Sequence, residues 1–444
     1  MEQDTGVEPA SSAWEADVLP MYESCVNIKF PAIIPHSLCQ CKAKFGVYPA
    51  TFFHTVEQTT IGGNTMKRCL SLFLSLTLCI FLIVPALAVE IPLTSHAALL
   101  MEKETGEILF AQNEHEALPP ASVTKIMTML LVMEAIDDGA ISTEDVVTVS
   151  AHAASMGGSQ VFLSEGEQIT VDDLLKALCV ASGNDASVAL AEHVSGVTEL
   201  FVEEMNDRAR ALGMLDTHFV NCTGLTAEEH LTSAYDIALM SRELLLHHPE
   251  IRNYTTIWMD TLRNGTFGLS NTNKLIRFYD GATGLKTGYT DKAGYCISAT
   301  AEREGMELIA VIMDGETADK RNTDAKALLN YGFSTYALTH IAPAEPLPAI
   351  PVTLGADDTV AVVLPSDGCA VLTEKATAAT LTQTIDLPEA VAAPITAGDR
   401  LGTLTVHSGD TVVKTLPLLA EDAIPRLTWG QMVGKLLKMA IFCG

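Results

Sequence analysis

The sequence has few basic residues for its length. It carries 27 Lys and Arg against 55 Asp and Glu over 444 residues, so its formal net charge is −28 at pH 7. No basic cluster interrupts this acidic character. Nucleic-acid binding requires a positively charged surface that contacts phosphates. The composition therefore excludes a nucleic-acid-binding protein, and we expect no nucleic-acid partner.

The cysteines also lack a regular pattern. Of the ten cysteines, five precede residue 80, and the others are Cys179, Cys222, Cys296, Cys369 and Cys443. Five scattered residues do not predict a disulfide framework. Cys179 and Cys296 lie in apolar runs, so we predict that they are small core residues. Because no Cys/His spacing is typical of a metal site, we expect no bound metal.

One long apolar run, Cys69–Val89, follows the basic Met66-Lys67-Arg68 and ends in Ala86-Leu87-Ala88. This order is typical of a secretory signal peptide, here residues 66–88, with cleavage after Ala88. Because signal peptides act at an N-terminus, we expect residues 1–65 to be a spurious or disordered extension. The alternative is a cytoplasmic segment followed by an uncleaved anchor, since the run is just long enough to span a bilayer.

The stretch 118–133 places two prolines, a serine and a lysine ahead of an apolar run. Proline is tolerated in the first turn of a helix, so we predict that a helix begins near Pro120. Ser122 and Lys125 then lie one turn apart on the same face of a buried helix. A desolvated lysine loses its ammonium form and becomes a base for the neighbouring hydroxyl. Alone, the pattern also fits a capping serine with a surface lysine.

Two further polar motifs follow along the chain. Ser182-Gly183-Asn184 interrupts two helical stretches and can aim a hydroxyl and an amide at one point. Lys286-Thr287-Gly288 begins the first of three strands, which short turns join into an antiparallel meander over 283–290, 293–301 and 307–313. The positive charge of Lys286 and the hydroxyl of Thr287 can bind a carboxylate, and Gly288 leaves space for a substrate beside the backbone. Separately, these motifs also fit a helix–helix turn and an ordinary strand.

Together and in this order, the Ser-x-x-Lys, Ser-x-Asn and Lys-Thr-Gly motifs resemble those of the penicillin-recognising serine acyl-enzymes. Roughly residues 92–420 are similar to one branch, the D-alanyl-D-alanine carboxypeptidases among the low-molecular-mass penicillin-binding proteins. The stretches that carry the resemblance to this branch include Leu118–Lys125, Ser182–Ala186, Met205-Asn206, Leu212–Met214, Asn221–Leu225, Lys286–Thr290 and Ala293–Tyr295.

The resemblance implies an enzyme that removes the terminal D-alanine from peptidoglycan stem pentapeptides and binds β-lactam inhibitors, without a metal or cofactor. It implies that Ser122 is the nucleophile, that Lys125 takes its proton and that Ser182 assists proton transfer. The backbone amides of Ser122 and Tyr289 are then the expected oxyanion hole. The residues that it assigns to substrate binding are Asn184, Lys286, Thr287, Gly288 and Tyr289.

The resemblance also implies an α+β fold of the β-lactamase and transpeptidase type. In this fold, helices cover an antiparallel sheet and a helical lobe is inserted between its strands, here over residues 89–340. We expect a helix over Asp319–Leu338 to pack on the sheet. Prolines predict a linker at 341–351, and short alternating runs predict a small all-β domain over 352–422.

The last stretch, 426–444, is predicted to form an amphipathic membrane-associating helix. Lys435 and Lys438 lie on one side, and Trp429, Met432, Val433, Leu436 and Leu437 lie on the other, which is typical of a helix on a membrane surface. The alternative is a terminal helix docked on the protein. With the signal peptide, this predicts an exported protein at the outer face of the cytoplasmic membrane or in the cell-wall compartment.

Other functions of the same fold remain open from the sequence. A β-lactamase of the glutamate-dependent type needs a Glu-x-x-x-Asn arrangement beyond the Ser-x-Asn motif, whereas Glu203 and Asn206 are three residues apart. We therefore favour the carboxypeptidase over a β-lactamase. A transpeptidase is possible because an amine can replace water in the second step. A catalytically silent penicillin-binding module is disfavoured because every catalytic position is filled.

Overall fold

The structure is a computed structural model that describes residues 91–442. The predicted extension at 1–65 and the predicted signal peptide at 66–88 lie outside this range.

A five-stranded antiparallel sheet organises the larger part of the described chain. Its strands are β1 (Ala97–Glu102), β2 (Ile108–Gln112), β3 (Ala282–Thr290), β4 (Gly294–Arg303) and β5 (Met306–Gly315). They have the spatial order β2-β1-β5-β4-β3. The predicted meander is confirmed, and β3, which carries the Lys-Thr-Gly motif, is an edge strand of this sheet.

Helices cover this sheet, and most of them come from the chain between β2 and β3. The longer helices are α1 (Lys125–Asp137), α2 (Val171–Val180), α3 (Asn184–Ser195), α4 (Thr198–Ala211), α5 (Ala234–His247), α6 (Ala318–Thr335) and α7 (Trp429–Phe442). The short ones are Ala151–Ala154, Arg252–Thr255, Leu275–Phe278 and Lys375–Ala378, with 3₁₀ turns at Ala121–Thr124 and Pro249–Ile251. Two small antiparallel strand pairs complete this region, Val146–Thr148 with Gln168–Thr170 and Met259–Leu262 with Phe267–Ser270.

Both faces of the central sheet are buried. All six residues of β1 are buried, and the two-residue period of a strand sends Leu99 and Leu100 to opposite faces. Leu99 joins the core formed with α1 and the inserted helices. Leu100 joins a second core with Leu328 and Leu329 of α6. The sheet is therefore a layer between α6 and the inserted lobe, which confirms the predicted fold class.

Helix α1 is deeply buried over its first half. Its first nine residues, 125–133, are all buried, as the apolar run predicts. Pro120 caps the 3₁₀ turn that leads into it, so the helical stretch begins within one residue of the predicted start. Because α1 lies in the core, the residues of its first turn have a fixed position.

The end of α6 differs from the sequence prediction. The predicted helix runs to Leu338, whereas the structure ends it at Thr335 and continues as a strand, Tyr336–His340. This strand pairs with Ala370–Glu374, some thirty residues further along the chain. The pairing is non-local, and aromatic Tyr336 suits a strand, so tertiary contacts end the helix early.

Residues beyond 341 form β-structure around their own apolar core. Leu404, Val406 and Leu418 are buried in this core. The strands are Ile350–Thr353, Thr359–Val360, Val362–Val363, Leu381–Asp386, Val391–Ala392, Arg400–Ser408 and Thr411–Ala420. They form a three-stranded and a four-stranded sheet. Within residues 91–442, no helix has both the length and the apolar character that crossing a bilayer requires.

Candidate active site

Ser122 lies in a tight turn at the entrance to α1. The 3₁₀ turn Ala121–Thr124 precedes the helix, and Ala121 has a left-handed backbone with φ +48°. Such a conformation is unfavourable for a residue with a Cβ and is commonly found at functional sites. The N-terminal end of a helix favours negative charge. Ser122 is therefore in a position where an oxyanion is stabilised.

Lys125 begins α1 and is completely buried. Its Nζ lies 3.0 Å from Ser122 Oγ and donates to Asn184 Oδ1 (2.6 Å) and to the carbonyl oxygen of Thr223 (2.7 Å). A neutral amine has two protons, and these two oxygens can only accept them. The lone pair of the neutral amine is therefore directed at the Ser122 hydroxyl, as proton abstraction requires.

The ionisation of Lys125 is shifted in the direction that a base needs. Burial lowers the pKa of Lys125 well below its ordinary value of 10.5, and the positive charge of Lys286 lowers it further. Desolvation disfavours the ammonium form because a buried charge loses its hydration. The environment of Lys125 thus favours the neutral amine that can accept a proton.

Asn184 has a fixed side-chain orientation. Its Nδ2 donates to the carbonyl oxygen of Gly157 at 2.7 Å, which leaves Oδ1 to accept from Lys125. Its backbone N–H donates to the carbonyl oxygen of Ser159 at 2.7 Å. The loop 157–159 therefore holds the first residue of α3 against the lysine.

Ser182 and Lys286 form the opposite part of the site. Lys286 Nζ donates to Ser182 Oγ at 2.8 Å and to the carbonyl oxygen of Thr287 at 2.9 Å. Burial lowers the pKa of Lys286 to about 7. Ser182 has φ +62°, so its hydroxyl is presented from a strained turn between α2 and α3. The β3 strand and the inserted lobe thus meet at this hydrogen bond.

A cavity of about 290 Å³ opens between these elements. Five predicted site residues line it, namely Ser122, Ser182, Thr287, Gly288 and Tyr289. The other three, Lys125, Asn184 and Lys286, are joined to this group by the hydrogen bonds described above. The structure therefore brings all eight predicted residues together.

Gly288 allows β3 to pass close to the turn that carries Ser122. A Cβ on Gly288 would lie 2.9 Å from both the Ser122 nitrogen and the Pro120 carbonyl oxygen. Tyr289 follows it, is half exposed and stacks on Tyr295 with ring centroids 4.3 Å apart. The edge strand is thus packed tightly against the turn that carries Ser122, and Gly288 is the residue that permits this approach.

The cavity also contains residues that no sequence motif indicates. Arg321, in the first turns of α6, lines it with Thr272 and is itself buried. Its guanidinium donates to Cys296 O at 3.3 Å and to Asn322 Oδ1 at 2.9 Å. Arg321 adds positive charge beside Lys286, yet no motif indicates it because it comes from a distant helix.

The cavity carries positive charge and lacks acidic residues. None of the described residues that line it is Asp or Glu. Asn206, considered above for a β-lactamase, instead holds the backbone of Phe219 through two hydrogen bonds. Within the described range, no cluster of three His, Cys, Asp or Glu side chains is suited to hold a metal. The polar side chains that line the cavity include the Ser122 and Ser182 hydroxyls and the Arg321 guanidinium.

A buried lysine that faces a serine at a helix entrance, opposite a cationic strand edge, defines the class of penicillin-recognising serine acyl-enzymes. Within this class, the family model described as D-alanyl-D-alanine carboxypeptidase matches residues 86–317. The model described as the C-terminal domain of penicillin-binding protein 5 matches residues 341–426. The chain belongs to the D-alanyl-D-alanine carboxypeptidase family.

Individual relatives agree with this assignment. The D-alanyl-D-alanine carboxypeptidase DacF of Bacillus subtilis is 42% identical over 339 residues, which cover 75% of this chain and 86% of the relative. The structure of penicillin-binding protein 5 from Haemophilus influenzae aligns with a TM-score of 0.68 and 28% identity, covering 76% of this chain and all of that one. The ampicillin-bound penicillin-binding protein D2 of Listeria monocytogenes aligns with a TM-score of 0.51 and 34% identity, covering 55% of this chain and all of that one.

Gly224 offers a test of how tightly the turn at Ser122 is packed. A Cβ on Gly224, where φ is +81°, would lie 1.9 Å from the Ala121 carbonyl oxygen. Gly213 has a similar φ of +75°, but no atom lies within 4 Å of a Cβ placed there. In both variants the new alanine has a left-handed backbone conformation, which reduces the stability of the folded protein by about 1–2 kcal/mol. We expect only Gly224→Ala to displace Ala121 as well.

We therefore expect Gly224→Ala to lose more stability in urea unfolding than Gly213→Ala, and to react much more slowly with a fluorescent penicillin. Gly213→Ala should keep the labelling rate of the unmodified protein. Equal labelling rates for the two variants would show that the Ala121 turn tolerates displacement, contrary to this interpretation.

Proposed function

We propose that this protein removes the terminal D-alanine from peptidoglycan stem pentapeptides through an acyl-enzyme at Ser122. The observation that carries the proposal is the contact between the Lys125 amine and the Ser122 hydroxyl at 3.0 Å. Lys125 has no carboxylate among its hydrogen-bond partners in the described chain, and its burial favours the neutral amine. A neutral base beside a hydroxyl is the arrangement that activates a serine nucleophile.

In the first step, Lys125 Nζ accepts the proton of Ser122 as Oγ attacks the carbonyl between the last two D-alanines. The amides of Ser122 and Tyr289 stabilise the resulting oxyanion. Ser182 Oγ then passes the proton from Lys125 to the nitrogen of the departing D-alanine, so that the C–N bond breaks and Lys125 is neutral again. In the second step, water gives a proton to Lys125 and attacks the ester. Lys125 returns this proton to Ser122 Oγ as the ester bond breaks, which releases the shortened peptide and restores Ser122.

The substrate carboxylate is held by the cationic side of the cavity. Lys286 and Thr287 are its expected partners, and the positive charge of Arg321 lies nearby. Asn184 and the backbone of β3 at Gly288 and Tyr289 bind the peptide. A terminal carboxylate suits this site because buried cations attract it more strongly than exposed ones.

β-Lactams are the expected inhibitors of this site, as the ampicillin-bound relative suggests. We favour a carboxypeptidase over a β-lactamase because no acidic residue is present among the described cavity residues to activate water for rapid deacylation. A transpeptidase would use the same acyl-enzyme, with an amine in place of water.

This function requires export to the compartment that contains peptidoglycan. We further propose the domain division expected above, with the enzyme at 89–340, a linker at 341–351, a β-domain at 352–422 and a terminal helix at 426–444. The membrane proposal concerns α7, since Trp429 is 82% exposed and Leu436 is 60% exposed. Exposed apolar side chains on an amphipathic helix favour a position in the headgroup region of a membrane.

Ser122→Ala tests the catalytic assignment. The unmodified protein should release D-alanine from a stem pentapeptide and be labelled covalently by a fluorescent penicillin, and Ser122→Ala should lose both activities because it lacks the nucleophile. The exposed Ser155, which lies outside the cavity lining, gives the matched control Ser155→Ala, which should keep both. Rapid, sustained penicillin hydrolysis by the unmodified protein would instead indicate a β-lactamase.

Leu436→Glu tests the membrane proposal. It places a charge on the exposed apolar side of α7, and we expect it to reduce cosedimentation of the protein with vesicles that contain anionic lipid. Gln431→Glu adds the same charge on the polar side, where the side chain is also exposed, and should have little effect. The proposal fails if the unmodified protein does not sediment with vesicles, or if both variants bind equally well.

A further inference from the structure

A buried histidine contacts the turn that carries Ser122, although no catalytic motif contains it. His230 is 3% exposed, and its Nε2 lies 2.8 Å from Thr124 Oγ1. Thr124 Oγ1 in turn lies 2.9 Å from the carbonyl oxygen of Ala121. On the other side of the ring, the backbone N–H of Val220 donates to His230 Nδ1 at 2.9 Å.

The Val220 N–H, the His230 ring, the Thr124 hydroxyl and the Ala121 carbonyl form a hydrogen-bond relay. The two ends of this relay determine the direction of every hydrogen bond in it. The Val220 N–H can only donate, so Nδ1 carries no proton and the proton of the neutral ring is on Nε2. The Ala121 carbonyl oxygen can only accept, so the single hydroxyl proton of Thr124 points to it. Thr124 Oγ1 consequently accepts from His230 Nε2–H, and all three hydrogen bonds are compatible.

The environment of His230 agrees with a neutral ring. Burial, with a smaller contribution from the neighbouring His218, lowers the pKa of His230 to about 4. Apart from Thr124 and Val220, the ring packs against Phe219, with ring centroids 5.8 Å apart. At neutral pH, His230 therefore keeps its acceptor for Val220 and its donor for Thr124.

The segment that carries His230 is also fixed beside the start of the turn. Leu118 and Thr232 exchange two backbone hydrogen bonds, with N···O distances of 2.8 and 3.0 Å. The turn is thus held by backbone pairing before Ala121 and by the side-chain relay after it. Within residues 91–442, Thr124 is the one side chain that donates a hydrogen bond to the Ala121 carbonyl oxygen.

The direction of the Ala121 carbonyl determines the direction of the Ser122 amide. In a trans peptide, the C=O of one residue and the N–H of the next point in opposite directions within one plane. The Ala121 oxygen faces Gly224 and Thr124, and the Ser122 nitrogen lies close to Gly288 of β3. Fixing the carbonyl therefore fixes the N–H that is expected to contact the oxyanion. Ala121 has φ +48°, so this peptide depends on outside contacts for its orientation.

We propose that His230 and Thr124 are positioning residues that orient the Ser122 amide of the oxyanion hole. The inference rests on the proposed function, because it assigns the oxyanion role to that amide. His230 lies outside the three motifs, and it acts on the Ser122 amide through Thr124 and the Ala121 carbonyl. Because an oxyanion forms only in the transition state, the relay should affect kcat more than KM.

Thr124→Val and Thr124→Ser form the central comparison. Valine keeps the shape of the buried side chain but removes the hydroxyl, so we expect kcat for D-alanine release to fall by about tenfold to a hundredfold, with KM within about twofold. The rate of fluorescent penicillin labelling should fall in parallel. Serine keeps the hydroxyl and should recover most of kcat. If Thr124→Val lost kcat only because the protein was less stable, Thr124→Ser would not restore kcat selectively.

His230→Gln and the double variant with Thr124→Val test whether the two residues act as one relay. Their effects on kcat should not add, so the double variant should be no slower than the slower single variant. Multiplied losses would overturn the relay, and so would a Thr124→Val protein with unchanged kcat. If the unmodified protein releases no D-alanine, the proposed function fails. This outcome is distinct from failure of the relay, in which the unmodified protein is active and Thr124→Val keeps its kcat.

The unmodified protein provides a test that does not depend on the folding of variants. In a two-bond ¹H–¹⁵N spectrum at pH 7 of protein labelled with ¹⁵N-histidine, His230 should give the pattern of a neutral ring protonated on Nε2. A ring protonated on Nδ1, or a charged ring, would contradict the hydrogen-bond directions and overturn the proposal.

Discussion

The chemistry of the site depends on the burial of the Lys125 amine next to the Ser122 hydroxyl. An ammonium group in this position would lose its hydration, and the second buried lysine, Lys286, adds repulsion. The fold accepts this unfavourable environment because α1 is fixed in the larger apolar core. As a result, the neutral Lys125 amine lies next to the Ser122 hydroxyl and can accept its proton. The chemistry is thus a consequence of where the core places the first turn of one helix.

Close backbone packing then determines the geometry around that turn. Gly224 and Gly288 approach the Ala121–Ser122 peptide from two segments, each closer than a residue with a Cβ would allow. The Lys286–Ser182 hydrogen bond joins the edge strand to the lobe across the cavity. Each of these contacts joins segments that are distant in sequence. The site therefore forms only when the sheet and the inserted lobe are assembled.

The local elements and the motif residues were predictable from the sequence. The apolar run after Lys125 predicted a buried helix, and the short turns between the three strands from residue 283 onward predicted the meander. The order of the three motifs indicated which polar residues converge. Contacts that depend on assembly were not predictable in this way. The helix predicted to end at Leu338 stops at Thr335 because Tyr336–His340 pairs with a remote strand. Arg321 and His230 likewise reach the site from segments without a motif.

The most direct test of the central claim is the ionisation of Lys125 in the folded protein. The ¹³Cε signal of Lys125, assigned by its loss in Lys125→Arg, can be followed by NMR through a pH titration. We predict a titration midpoint well below the ordinary lysine value of 10.5, because the amine is buried beside a second cation. A midpoint near 10.5 would mean that Lys125 is an ammonium group at neutral pH, and would contradict its assignment as the base.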